Sequence, residues 1–293
     1  MRYVLENDTL RVEIDSFGAE LKSVKRKSDD KEYMWYADKK YWGRTSPVLF
    51  PFVGNCKNKE YRYDGKTYAI GQHGFARDME HTMESQTADT IWFSLHSNEE
   101  TMEKYPFAFV LKIGYNLTGN ELKVMWKVEN PDTKTLYFSI GAHPAFLCPF
   151  NGEENKLGYG LQFAGLKEVH HHGNTPDTGL AVMSEDIVIP LEDEKVYFTP
   201  GFFDRCTYMV EGKQTGEVSL VTPDGKPYVT MDFDAPLFAI WSPEGKDAPF
   251  VCIEPWYGRC DADDFEGTLE ERAYENAVEP EQVFEASYSI HYL

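Results

Sequence analysis

Cysteine is sparse: five residues are spread over 293, with no Cys-x-x-Cys pair among them. Cys56, Cys148, Cys206, Cys252 and Cys260 are odd in number and widely spaced, which argues against a disulfide framework or a zinc finger. Reduced, buried thiols suit a cytoplasmic protein. Positive charge is scarce too, with 29 Lys and Arg against 49 Asp and Glu, for a formal net charge of −20. Nucleic acid and anionic membrane surfaces are polyanions and poor partners for such a chain. No apolar run approaches the ~20 residues of a membrane-spanning helix. Tyr3 to Asp8 lacks the basic, apolar and small-residue zones of a signal peptide. The expectation is a cytoplasmic protein with no membrane partner. Serine-hydrolase, Walker and dinucleotide-binding patterns are missing. So are internal repeats, low-complexity tracts and linkers rich in Pro, Gly or Ser, and residues 1–293 read as one domain.

Short strands and turns fill the chain. Leu10, Val12 and Ile14 alternate with Arg11 and Glu13, the period of a strand with one wet face. Ser16-Phe17-Gly18 breaks the run and Ala19 to Val24 resumes it. Asp64-Gly65 inside Tyr61 to Ile70 is a hairpin signal. Thr118-Gly119-Asn120 and Pro223-Asp224-Gly225 punctuate two further pairs of runs, Leu122, Val124, Trp126 and Val128 share one face of theirs, and Phe284 to Tyr292 alternates again. Helix signals are few. Asn98 to Lys104 predicts one or two turns before Tyr105-Pro106, and Thr268-Leu269-Glu270-Glu271 reads as a capping box with a short helix behind it. Asn151 to Asn155 and Gly173 to Gly179 read as loops. The pattern predicts an all-β sandwich or barrel.

Four stretches depart from plain strand and turn. In Trp42 to Gly54 two prolines and flanking glycines rule out a regular central strand, and Arg44 needs a partner if it is buried. Gly71-Gln72-His73-Gly74-Phe75-Ala76-Arg77 suggests a tight backbone presenting polar side chains, either for function or merely at the surface. His143 follows an apolar run and precedes Pro144, which biases it toward extended backbone. It is either a general acid held at a strand end or a satisfied, partly buried imidazole. Glu254 interrupts the apolar ending Phe250-Val251-Cys252-Ile253. A buried carboxylate is costly unless it is paired or functional, and an apolar setting raises its pKa toward that of a useful base. Trp256 and Tyr257 offer flat faces for sugar C–H groups. His170-His171-His172 invites a metal reading, but neighbours on an extended chain point to alternate faces, so a solvated loop is expected and no metal site.

Taken in order, Phe17-Gly18-Ala19-Glu20-Leu21, Pro47 to Pro51, His73 to Arg77, Gly141 to Phe146 and Ile253-Glu254-Pro255-Trp256 resemble the aldose 1-epimerase (galactose mutarotase) family, and within it the LacX-like branch. The resemblance implies a β-supersandwich of large twisted antiparallel sheets. It implies a cleft that takes a free aldose, a small-molecule partner, without metal or cofactor. By the same resemblance His143 is the general acid at the ring oxygen and Glu254 the general base at the anomeric hydroxyl. His73 and Arg44 match positions that bind sugar, Gln72 and Arg77 stand where a substrate contact fits, and Asp204 is the candidate for the family's further aspartate. The alternatives are a hexose-6-phosphate 1-epimerase, which needs a cationic cluster at one end of the cleft, and a non-enzymatic carbohydrate-binding protein on the same fold. A monomer or weak homodimer is expected.

Overall fold

The computed structural model describes residues 1–293, and it is built almost wholly from antiparallel strands. Turn chemistry sets where they reverse. Asp64 and Gly65 both take left-handed backbone, with φ of 48° and 69°. That geometry closes Glu60–Tyr63 onto Lys66–Ala69, and Gly and short polar residues adopt it at low cost.

One sheet has nine strands. Its centre is Val283–Tyr292, Glu121–Glu129 and Val110–Thr118, paired in that order. Along Glu121–Glu129 the predicted face holds: Leu122, Val124, Trp126 and Val128 are buried and the residues between them are wetter. Each such side chain contributes roughly 1.5–3 kcal/mol on leaving water. These faces feed one apolar cluster of 62 buried residues that runs from Leu5 to Tyr292, so both ends of the chain help build the same interior.

The second large sheet has eight strands and carries the site. They are β1 (Val48–Leu49), β2 (Ile140–Ala142), β3 (Ala145–Leu147), β4 (Glu168–Asn174), β5 (Ala181–Pro190), β6 (Tyr208–Glu211), β7 (Leu237–Trp241) and β8 (Phe250–Tyr257). The order is β5-β4-β6-β7-β8-β2-β1, and β3 also pairs with β8. The triple histidine is therefore strand, not loop. His171 is buried while His170 and His172 are more exposed, the alternation that keeps the three from converging. The expected Gly173–Gly179 loop is correspondingly shorter, since Gly173 and Asn174 still pair with β5.

Helix is confined to short pieces. Glu99–Lys104 starts at Asn98, whose side chain accepts from the Thr101 N–H while Thr101 answers to the Asn98 N–H. The second box is present too, but Leu269–Glu271 is only a three-residue 3-10 turn, because Arg272 at once turns extended and inward. The Arg272 guanidinium is buried against Asp261 at 2.7 Å, Glu275 at 2.9 Å and the Arg259 carbonyl at 2.9 Å. This cluster fastens the segment after β8 to the start of β2 through Ser139, whose Oγ donates to Glu275. No helix is long and apolar enough to cross a membrane.

Candidate active site

The register of β8 brings the two predicted groups together. Ile140 lies opposite Tyr257 and Gly141 opposite Trp256; beyond the gap, Ala145 lies opposite Cys252. The same register continued places His143 across from Glu254. Pro144 has no N–H and breaks the ladder there, which separates β2 from β3. The result is a contact: His143 Nδ1 lies 3.4 Å from Glu254 Oε1. Cross-strand pairing therefore sets the two side by side.

Small residues make room for this. A Cβ on Gly141 would stand 2.6 Å from the Trp256 ring, so glycine is what lets that indole lie across β2 and donate to the Ala142 carbonyl. His73 sits in the left-handed region at φ 64°, unusual for a non-glycine residue. A reciprocal clip with Gly54 holds it: the His73 N–H donates to the Gly54 carbonyl at 2.8 Å, and the Gly54 N–H donates to His73 Nδ1 at 3.0 Å. With Nδ1 accepting, a neutral His73 ring carries its proton on Nε2.

His73, His143, Glu254, Trp256, Gln72 and Arg77 all line one cleft of about 400 Å³, within the range of small-ligand sites. Arg44 lines an adjoining groove that shares Trp42 and Arg77 with the cleft, and it pairs with Asp78 at 2.8 Å. Asp204 is not brought in. Its loop leaves the edge strand Lys195–Tyr197 of the other sheet; it accepts from the Gly245 N–H and lines a separate cavity. Asp177, Glu244 and Asn174 line the cleft instead.

Two tryptophans escaped the sequence reading as site residues. Trp42 stacks on the His143 ring, with centroids 4.6 Å apart and planes at 25°. Trp241 meets that ring edge-on at 5.3 Å. The signal was faint: Trp42 stood in a stretch already marked as irregular, and Trp241 merely ended an apolar strand.

The electrostatics follow from dryness. The Glu254 side chain is 1% exposed, and neither carboxyl oxygen has a hydrogen-bond partner. Burial therefore holds its pKa well above the usual carboxylate value. Burial, aided by the positive charge of Arg77, pushes His143 down to about 3, and the same two causes, in the same order, hold His73 well below the ordinary imidazole range. His143 Nδ1 is also without a hydrogen bond. Both shifts favour the uncharged forms, an un-ionised Glu254 carboxyl beside a neutral His143. Such orphaned polar atoms are costly for a fold and point to a ligand.

A sequence profile described as Aldose 1-epimerase matches residues 1–261. The chromosomal Protein LacX of Lactococcus lactis subsp. lactis is 30% identical over 297 residues, covering 99% of each chain. A galactose mutarotase related enzyme from Lactobacillus acidophilus superposes with a TM-score of 0.94 at 37% identity, over 100% of this chain and 97% of that one. A galactose mutarotase-like protein from Lactobacillus casei superposes at 0.91 with 28% identity, over 99% of each. The chain belongs to the aldose 1-epimerase family.

Proposed function

We propose that the cleft interconverts the α and β anomers of a free hexose by opening and reclosing the sugar ring. The observation that carries this reading is the buried His143–Glu254 pair, one proton shared between two groups that lack hydrogen bonds. A binding protein has no use for an orphaned acid–base pair at the base of its cleft.

Sugar hydroxyls entering the cleft supply donors to the Glu254 oxygens. Hydrogen bonds to a carboxylate favour its charged form, so the proton passes from Glu254 to His143 across their 3.4 Å contact. His143 then protonates the ring oxygen while Glu254 takes the anomeric hydroxyl proton. The C1–ring-oxygen bond breaks and C1 becomes an aldehyde. Rotation about C1–C2 presents the other face. On reclosure the roles reverse: Glu254 returns its proton to the aldehyde oxygen as His143 accepts that of the attacking hydroxyl. No atom is gained or lost, and each transfer contributes ~10²–10⁴-fold. His73 donates from Nε2 to a sugar oxygen, and Trp256 and Trp42 provide the flat walls.

A second reading, a hexose-6-phosphate, is favoured by one feature. Arg44 and Arg77 share the single carboxylate of Asp78, at 2.8 Å and 3.7 Å, and the Arg77 Nε is buried without a hydrogen bond. Lys22 lines the same groove, but Glu20 already holds it at 3.1 Å. Polarimetry on α-anomers of several hexoses and their 6-phosphates separates the two. The neutral reading expects faster exchange of at least one unphosphorylated hexose than of its phosphate. The reverse preference, lost in Arg77→Gln, would establish the phosphate reading. Rates equal to buffer on every sugar would end both.

His143 gains a second proton only near pH 3, and Glu254 gives up the shared one only above its raised pKa. The kcat/KM profile, which reports free-enzyme groups, is expected to show no inflection near 6.5, staying flat between the His143 limb near pH 3 and the raised ionisation of Glu254. Trp42→Ala lets water reach His143, raises its pKa toward the ordinary 6.5, and introduces an acid limb. An inflection near 6.5 already present in the wild type would contradict the dry-pair account.

A further inference from the structure

Cys252 is a buried thiol beside His143 and Glu254 that the proposed reaction leaves idle. It precedes Glu254 by two residues on β8, so both side chains project from the same face of the strand. Ala145, two residues past His143, is the cross-strand partner of Cys252, so the imidazole reaches the thiol diagonally. A ring nitrogen of His143, the Cys252 sulfur and a Glu254 oxygen all lie within 4.8 Å of one another. Nitrogen, sulfur and carboxylate oxygen are the donors zinc takes, with bonds of roughly 2.0–2.3 Å. Donors on one tetrahedral ion therefore stand roughly 3.3–3.8 Å apart, about an ångström inside the 4.8 Å within which this set lies.

A further observation points to a cation. His143 Nδ1 and both Glu254 oxygens are buried lone-pair sites with no hydrogen bond, the deficit that a metal ion fills. The charge also balances. A divalent ion that displaces one proton from Cys252 and one from Glu254 leaves a neutral assembly with neutral His143. That suits a site whose dryness disfavours net charge. The cleft leads to His143 and Glu254, which leaves the fourth position of the ion open to it.

We infer that His143, Cys252 and Glu254 form a binding site for a thiophilic divalent cation, zinc being the representative, and that the bound ion inhibits by occupying both groups needed for ring opening. Binding stands on the geometry alone; inhibition rests on the mutarotase reading.

The test titrates the purified chain with cobalt(II) as a spectroscopic substitute for zinc, then displaces it with zinc. The wild type is expected to show thiolate-to-cobalt charge-transfer absorption and the visible bands of tetrahedral cobalt, both erased by zinc. Cys252→Ala, or Cys252→Ser should the alanine variant fold poorly, is expected to lose the thiolate band. The same variants are expected to need roughly ten- to a hundredfold more zinc for half-inhibition, each measured against its own zinc-free rate. Absence of a thiolate band in the wild type, or its persistence in a folded Cys252 variant, would overturn the site. Should the wild type exchange no anomers at all, the cobalt spectrum still decides the binding while the mutarotase reading falls separately.

Discussion

Glu254→Gln is expected to slow anomer exchange by ~10²–10⁴-fold, the size of a lost acid–base step, in a protein that folds normally. The amide is nearly isosteric with the protonated carboxyl that the resting site already holds. It keeps the neutral charge and the volume, so the packing between β2 and β8 has no reason to change. What disappears is the capacity to accept the anomeric proton and return it. His143→Asn removes the other half of the same exchange. Because the two act on one proton in relay, the double variant is expected to be little slower than the slower single one. Polarimetry with unchanged thermal unfolding separates this outcome from a folding defect. A Glu254→Gln rate within a few-fold of wild type would remove the carboxyl from the chemistry.

Arg272→Ala is expected to cost ~3–5 kcal/mol of stability, the penalty for stranding the partners of a buried ion cluster. The guanidinium is 1% exposed and bridges Asp261 and Glu275, themselves 4% and 2% exposed. Asp261 also accepts from the Lys57 N–H, and Glu275 from Ser139. Removing the cation leaves two carboxyl groups in the dry interior. Glu275, held at about 7 chiefly by burial even with Arg272 present, takes up a proton once the cation is gone. Asp261 has the backbone bond but no cation. The segment that the cluster ties down follows β8 directly, so the site feels the loss as well. Urea unfolding is the measurement. A loss below about 1 kcal/mol would mean that water reaches the stranded carboxylates and that the cluster is worth no more than a surface pair.

Much of the fold was legible because hairpin punctuation and period-two alternation are local signals. Asp64-Gly65 and the Leu122-to-Val128 face need no tertiary information, and the structure keeps both. The same is true of the Asn98 cap. His170–His172 went wrong because three polar residues in a row mask a strand whose burial is decided by its neighbours β5 and β6. The site was legible in part. His143 and Glu254 stood out because each offends its apolar surroundings, and His73 because glycine frames its positive-φ backbone. Their side-by-side arrangement was not legible, since it comes from the register between β2 and β8. Asp204 was chosen by order along the chain, and order says nothing about which sheet a loop leaves. Trp42 looks like any apolar residue in sequence. Only the folded chain shows its ring lying on His143.

In the proposed reaction the His143–Glu254 pair moves the protons of ring opening. Exchange NMR on an aldose at anomeric equilibrium tests it most directly, because α and β signals then exchange with no net reaction to follow. With wild-type protein, cross-peaks between the two anomeric protons are expected to grow faster than in buffer for at least one hexose or hexose-6-phosphate. With equimolar Glu254→Gln they are expected to fall back to nearly the buffer rate. Cross-peaks at the buffer rate with the wild type, or undiminished with Glu254→Gln, would contradict the account.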